Sequence, residues 1–420
     1  MRHCARCLYP VNHPLGLVID DQGVCSGCRV HEEKDSLDWS ERFQRLRRLV
    51  DGYRNQSTNN FDCVVPVSGA RDSHFIVDIV VRKLGLNPLL VSYNRQYNTA
   101  VGHRNLAYLR TIFDADYYQQ TLSPPLVRQI MQATLERMGS FHWHVLAGQT
   151  VFPVQVAVRF KIPLIIWGAH QGLDQVGMYS HLDEVEMSRR YRKNHDLMGI
   201  EGEDLVSETR GLYERDLQPL FYPHDKDIEK VGVRGIFLGN YIRWDSKAQH
   251  EAMIERYGYE TAPQARTFDT YNDVDCVHYS GLHDLVKQRK YGYGKAMDHA
   301  CREIRLRRLD RDGAITLVQQ YETTPAPDAE KLFAWLGITE RDFWSLIDRH
   351  RDPRAAAPLL NRFATGRSDL ERQAALDVSE SCHFRIVSSH SPKTDAENCR
   401  LFARGYVDGV PAISMQQSTS

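Results

Sequence analysis

From Phe61 onward, short apolar runs alternate with longer stretches in which apolar positions recur every three or four residues. The runs at 62–67, 88–93, 116–119 and 163–167 read as strands, with 234–241 as a fifth. The periodic stretches near 73–84, 99–112, 125–137 and 149–161 read as helices. Strand and helix in alternation predict an α/β fold built on a doubly wound, mostly parallel sheet. Upstream, residues 35–56 read as an amphipathic helix with Trp39, Phe43, Leu46 and Leu49 on one face, and a polar linker follows at 55–60. Downstream, Asp328–Leu336 and Glu340–His350 read as helices, and the pattern fades after Pro353. The expected organisation is a cysteine-bearing segment at 1–34, a linker helix at 35–60, and a nucleotide-binding type of domain at 61–245 with an insertion near 175–230. A mostly helical region at 246–353 and a peripheral tail at 354–420 complete it.

The chemistry concentrates where the first strand meets the first helix, at Ser68-Gly69-Ala70-Arg71-Asp72-Ser73. Strand, small-residue bend and helix N-terminus together present backbone N–H groups and the positive end of a helix dipole to an anion. Ser73 adds a hydroxyl there, and Asp72 adds a carboxylate able to hold Mg²⁺ beside phosphates. The loop is too short for a Walker A motif, which needs a longer glycine-rich span ending in Lys-Ser/Thr. The bland alternative is an ordinary βα turn with Asp or Ser as helix cap.

Ligands of such sheets lie beyond the carboxyl ends of the strands, so two further loops join the first. Ser92, Tyr93 and Asn94 follow the second strand and are expected to cover adenine and ribose. Gly168 to Asp174 follow the fourth, and Asp174 is the candidate second acidic residue. His170, His142 and His144 are candidate proton carriers. A dense aromatic and cationic cluster supplies Lys290, Tyr291, Tyr293, Lys295 and His299, a mixture suited to a sugar or nucleotide phosphate, or equally to a packed helix–turn with snorkelling lysines.

Composition narrows the setting. The 420 residues are 42% hydrophobic and 25% charged, with a formal net charge of −1, which gives no general electrostatic reason to expect nucleic-acid or membrane binding. No apolar run approaches membrane-spanning length, and the polar opening does not resemble a signal peptide, so a reducing cytoplasmic location is expected. In that compartment Cys4-x-x-Cys7 and Cys25-x-x-Cys28 read as a closed four-thiolate structural Zn²⁺ site of the zinc-ribbon type. Cys63, Cys276, Cys301, Cys382 and Cys399 show no ligand spacing.

The loop at 68–73 resembles the SGGxDS pyrophosphate loop of the PP-loop ATP pyrophosphatases, with Ala70 where the second glycine usually stands. More of the chain is similar to one family within that group, the N-acetyl sugar amidotransferases of surface-polysaccharide (LPS or O-antigen) biosynthesis. The resemblance is carried by the two CxxC pairs, Asp62–Gly69, Leu86–Val91, Phe152–Val158, Ile162–Gly168 and Tyr291–His299, in order, and it runs to about residue 353. Leu146 departs from it, standing where a polar residue is expected. It implies that ATP adenylates the acetamido oxygen of a nucleotide-linked N-acetyl sugar and that ammonia then displaces AMP to leave an acetamidino group. Ser68 to Ser73, Ser92 to Asn94 and Gly168 would hold ATP, Asp72, Asp174 and His170 would serve catalysis, and Lys290 to His299 would meet the sugar substrate. The chain has no glutaminase signature, so the resemblance also implies a separate glutaminase partner. Two other readings compete: a tRNA-thiolating PP-loop enzyme, and a non-catalytic zinc-ribbon nucleotide-binding protein.

Overall fold

The computed structural model describes residues 2–54 and 60–355. Apart from Asn60, the linker expected at 55–60 lies outside these residues, as does the tail beyond Ala355 with Cys382 and Cys399.

Five parallel strands form one sheet: β1 (Cys63–Pro66), β2 (Pro88–Tyr93), β3 (Tyr117–Gln120), β4 (Leu164–Trp167) and β5 (Arg234–Phe237), in the order β3-β2-β1-β4-β5. Val64 sits between Leu89 of β2 and Ile165 of β4. The chain therefore builds outward from β1 in one direction, then returns to β1 and builds in the other, so β1 and β4 flank the switch point of the sheet.

Both faces of the sheet are covered, which is why the central strands read as unbroken apolar runs. Successive residues of a strand point to opposite faces. Cys63, Val65, Leu90, Leu164 and Ile166 pack against Leu46 and Val50 of α2 (Trp39–Asp51), Ile76 and Val77 of α3 (Ser73–Asp78) and Leu109 of α4 (Ala100–Ile112). Val64, Leu89, Val91 and Ile165 pack instead on Val151, Phe152, Val154 and Ala157 of α6 (Trp143–Phe160). Helix α5 (Pro124–Met138) lies outside that layer, in a core shared with Phe333, Trp335, Phe343 and Leu346 of the later helices.

The elements depart from the sequence pattern mainly at their ends. Helix α6 begins at Trp143, six positions before the expected 149; its first turns are buried, and His142 offers no side-chain cap to mark the start. Helix α2 starts later than expected, after Asp38 caps the amides of Ser40 and Glu41. The strand expected over 234–241 ends at Phe237 and tightens into a turn over Leu238–Asn240. Among the described residues, no helix is long and apolar enough to cross a membrane.

The N-terminal segment folds around Cys4, Cys7, Cys25 and Cys28 and carries α1 (Ser26–Glu33). It packs on the helix Lys295–Arg305 through Tyr9, Tyr293, Met297 and Cys301. The end of α1 and the cysteine-bearing loop thereby reach the carboxyl edge of the sheet.

Candidate active site

A cavity of about 580 Å³ opens at the carboxyl edge of the sheet, between β1 and β4. Three walls meet there. The sheet contributes Ser68, Arg71, Asp72, Ser73, Trp167 and Gly168, the N-terminal segment contributes Tyr9, His13, His31 and Lys34, and the region after 244 contributes Ser246, Asp273, Tyr279, Lys295 and Arg302.

The β1 loop is shaped by close packing. A Cβ on Gly69 would stand 1.9 Å from the carbonyl oxygen of Gly102, so only glycine lets the loop touch α4. Ala70 points its buried methyl away from the cavity, among Met253, Tyr259, Tyr271 and Val274. The left-handed residue of the bend is Arg71, with φ 51°. Ser73 Oγ accepts the Ser68 N–H at 3.0 Å and closes the loop. Asp72 occupies the N-cap position of α3 without capping it, so its carboxylate accepts no first-turn amide. Its Oδ1 is buried without a hydrogen-bond partner, and burial raises its pKa. Ser246 Oγ donates to Oδ2 at 3.4 Å, and the His250 ring lies 3.6 Å from Oδ1. His250 also reaches Arg71 O and Ser246 O, so it clasps the loop from behind. A buried carboxylate oxygen without a partner at the edge of this cavity suits a Mg²⁺ ion shared with phosphates, which needs one or two protein carboxylates.

The facing wall is held by ion pairs. Asp273 binds Lys295 Nζ at 2.8 Å and Arg71 Nε at 2.9 Å. Burial alone would raise its pKa, but these two cations hold it well below the usual carboxylate range. Lys295 Nζ also sits 3.5 Å from the centroid of the Tyr279 ring, which is met as well by the stacked ring of His283 at 5.0 Å, the ring of His142 at 5.0 Å and the Arg71 guanidinium at 5.1 Å. Arg302 binds Asp269 at 3.0 Å and Tyr271 Oη at 2.7 Å. Together they line the wall with a Tyr279 ring enclosed by its neighbours and with cations fixed by buried carboxylates.

Of the candidate residues, Ser68, Arg71, Asp72, Ser73, Tyr93, Gly168, Asp174, Lys290, Tyr291, Lys295 and His299 line this cavity. The others are placed elsewhere. Gly69 and Ala70 serve loop packing. Ser92 is buried in β2, and Asn94 spends its side-chain oxygen on Gln96 N and Asn98 Nδ2. Tyr293 is fully buried against Tyr9 and His13, part of the packing beneath the N-terminal segment. His170 lies behind the Gly168 turn against Tyr191 and Phe237, with its pKa lowered by burial to about 4. Burial also holds His142 well below its ordinary value and His144 at about 3, and His144 Nδ1 meets the Tyr93 hydroxyl at 3.2 Å. Neutral, buried rings of this kind are poor bases at neutral pH. Asp174 is paired with Lys34, which holds its pKa low against the effect of burial. Lys290 donates to Met138 O at 2.8 Å, and its pKa is lowered by burial to about 8.

Sequence reasoning missed Asp273, Arg302, Ser246, His250 and Lys34, whereas Tyr279 stands at the start of the aromatic and cationic cluster that the sequence marks. The run Asp269-x-x-x-Asp273-x-Asp275 was the available signal, three carboxylates in a stretch otherwise read as helical. Their cationic partners lie far away in sequence.

The four cysteine sulfurs lie within 4.8 Å of one another, and all four residues are buried. Cys7 Sγ and Cys25 Sγ are 3.6 Å apart, close to the ~3.8 Å edge of a tetrahedral Zn–thiolate centre with ~2.3 Å bonds. The amides of Arg6, Cys7 and Cys25 all donate to Cys4 Sγ, as a thiolate requires. The donor set fits Zn²⁺.

Residues 265–356 match the family described as "LPS biosynthesis protein WbpG-like, C-terminal domain". That span contains Asp273, Tyr279, Lys295 and Arg302, most of the facing wall. No curated protein matches the chain significantly. Among solved structures, the chain is similar to an NH3-dependent NAD synthetase from Campylobacter jejuni subsp. jejuni NCTC 11168, at 11% identity and a TM-score of 0.27, over 46% of this chain and 92% of that one. It is also similar to an NMN synthetase from Francisella tularensis, at 12% identity and a TM-score of 0.26, over 54% of this chain and 98% of that one.

Proposed function

We propose, from the premise that residues 265–356 form a WbpG-like C-terminal domain of an LPS biosynthesis protein, that the chain is an ATP-dependent N-acetyl sugar amidotransferase. One observation carries the reading: a single cavity joins the phosphate-type loop Ser68–Ser73 to the Tyr279–Lys295 surface of that domain. A nucleotide on the first and a sugar on the second would have their reacting atoms between them.

An amide carbonyl is a poor electrophile, so its oxygen must first become a leaving group. The acetamido oxygen of the sugar attacks the α-phosphorus of ATP, the α–β phosphoanhydride bond breaks, and pyrophosphate leaves. Ammonia then adds to the resulting O-adenylyl imidate, the C–O bond breaks, AMP leaves carrying the former acetamido oxygen, and loss of a proton leaves the acetamidino group. In this scheme the uncapped first turn of α3 receives the departing pyrophosphate. Asp72 is the residue to hold Mg²⁺, which would neutralise charge on that group. Ser246 and His250 keep the Asp72 carboxylate in place. Arg71 faces Asp273 rather than the phosphates, so it locks the loop to the facing wall. Tyr279, its ring covered by Lys295 and His283, lines the cavity, and Lys295 supplies a cation for the sugar substrate. Ammonia comes from a separate glutaminase, and the location is cytoplasmic.

The tRNA-thiolating alternative delivers sulfur through cysteines near the nucleotide. Among the described residues none of the cysteines lines the cavity, which favours nitrogen over sulfur transfer. The test is incubation of the purified chain with ATP, ammonium and a panel of UDP- and CMP-linked N-acetyl sugars. Mass spectrometry of the sugars should show O exchanged for NH, with AMP and pyrophosphate formed in step. AMP formation that appears only with tRNA and a sulfur donor would transfer the assignment to thiolation, and none with any acceptor would leave a binding protein.

A further inference from the structure

Helix α1 and the turn after Asp174 pack too closely for side chains to intervene. A Cβ on Gly177 would stand 2.3 Å from Ser26 O, and one on Gly27 would stand 2.5 Å from Gln175 O. Polar contacts run along the same seam. Ser26 Oγ donates to Val176 O at 2.6 Å, and Glu33 accepts from Ser180 Oγ at 2.9 Å and His181 N at 2.8 Å. Lys34 pairs with Asp174 at the cavity end.

Arg305 lies at the centre of this seam, buried. One amino group of its guanidinium donates to Gln175 O at 2.6 Å and to Asp174 O at 3.3 Å. The other reaches Cys25 Sγ at 3.5 Å, and the group lies 5.3 Å from the centroid of the Tyr9 ring. A single planar fork thus joins a sulfur of the four-cysteine centre to two carbonyls of the cavity wall. Four thiolates around a divalent ion leave a buried net negative charge, which is costly without a nearby cation. Arg305 supplies that charge, and the same charge-assisted contacts fix the direction of its second amino group.

We infer that Arg305 is a positioning residue through which the four-cysteine centre sets the Asp174–Val176 turn of the cavity wall. The N-terminal segment is then part of the active site's framework rather than an appended module. Without the metal, Arg305 loses the anion that orients it and releases the two carbonyls. A lysine cannot take over, because a point ammonium cannot span sulfur and carbonyl as a fork does. The importance of this coupling for turnover rests on the proposed function, but the coupling itself does not.

The test is hydrogen–deuterium exchange on the full chain, zinc-loaded and after chelation, read on peptides covering 172–178. Chelation should speed exchange there about tenfold or more while β1 to β3 stay protected. Arg305→Lys, with its zinc content measured, should keep the metal yet show the same fast exchange, and its kcat should fall about tenfold with little change in KM for ATP. Gly177→Ala, which pushes the turn off α1 without touching Arg305, should loosen the same peptides in zinc-loaded protein. Identical exchange at 172–178 with and without zinc overturns the inference, as does native exchange in zinc-loaded Arg305→Lys. The expected exchange pattern with no turnover on any N-acetyl sugar would overturn the proposed function and leave the coupling standing.

Discussion

The two walls of the cavity are made by opposite means. The β1 loop is local: six consecutive residues, one glycine contact with α4, one hydroxyl closing the bend, and an aspartate left without a partner on one oxygen. The facing wall is non-local: Asp273 is tied to Lys295 and to Arg71, and Asp269 to Arg302. The first keeps an unsatisfied group ready for a ligand at a cost in stability, whereas the second satisfies its charges internally and presents a finished surface. Substitutions should therefore separate activity from stability on one wall and join them on the other.

The largest effect is expected at Asp273. Asp273→Ala leaves the buried Lys295 ammonium without its carboxylate, which should destabilise the protein by about 3 kcal/mol or more. Arg71 is partly exposed and adds less. Urea unfolding should show the loss, and turnover should fall with it, because the same residue locks the loop to the wall. A variant of native stability would mean that the wall does not depend on this ion pair.

Asp72→Asn should do the opposite. The carboxylate is raised in pKa by burial, so it is more comfortable neutral, and the amide should leave stability unchanged or raise it slightly. Turnover should drop by about 10²–10³-fold, the range for losing one group that stabilises developing charge. AMP formation measured beside the unfolding midpoint checks both halves. Retained activity would remove Asp72 from the chemistry.

The same contrast explains what was legible in the sequence. The strand–bend–helix at 68–73 is legible because its geometry depends on neighbours in the chain, and the clustering of the two CxxC pairs is legible for the same reason. The parallel, doubly wound sheet was legible because burial on both faces writes continuous apolar runs. Asp273, Arg302 and His250 were not, because an acidic or basic residue means little until the fold supplies its partner. Tyr293 misled for a related reason: its aromatic, cation-rich setting fits a ligand surface and fits equally the packing under the N-terminal segment. Helix α6 hid its start because a helix buried all round has no polar face to mark its ends.

Acid should act on the buried histidines and on the facing wall at different pH. Burial lowers His74 and His144 to about 3 and His278 to about 4, all below the ~6.5 of an unfolded histidine. A depressed folded pKa contributes stability above the unfolded value and loses it as pH falls, so stability should begin to drop just below pH ~6.5. Each such ring contributes at most about 1.4 kcal/mol per pH unit. Asp273 is also depressed, but its contribution is lost only below the unfolded carboxylate value of ~3.9. Asp72, raised in the folded state, works the other way and favours folding as it protonates. Unfolding midpoints from pH 8 to 4 should therefore decline with a histidine-like onset, while Asp273→Asn should shift the curve downward without moving that onset. A flat profile down to the carboxylate range would show that the histidines do not govern acid stability.

The smallest effect is expected at Ala70, the residue by which the loop departs from the glycine of the PP-loop pattern. Its side chain is fully buried away from the cavity, beside Met253 and Tyr271, and the left-handed position belongs to Arg71. A glycine there would relieve no strain and open no space for a phosphate. It would remove a packed methyl and add backbone freedom to the unfolded chain, destabilising the protein by about 0.5–1 kcal/mol. Ala70→Gly should therefore lower the unfolding temperature slightly and leave the KM for ATP and kcat within twofold. A several-fold gain in kcat would mean that the methyl obstructs the phosphates after all, and that the loop must move to bind them.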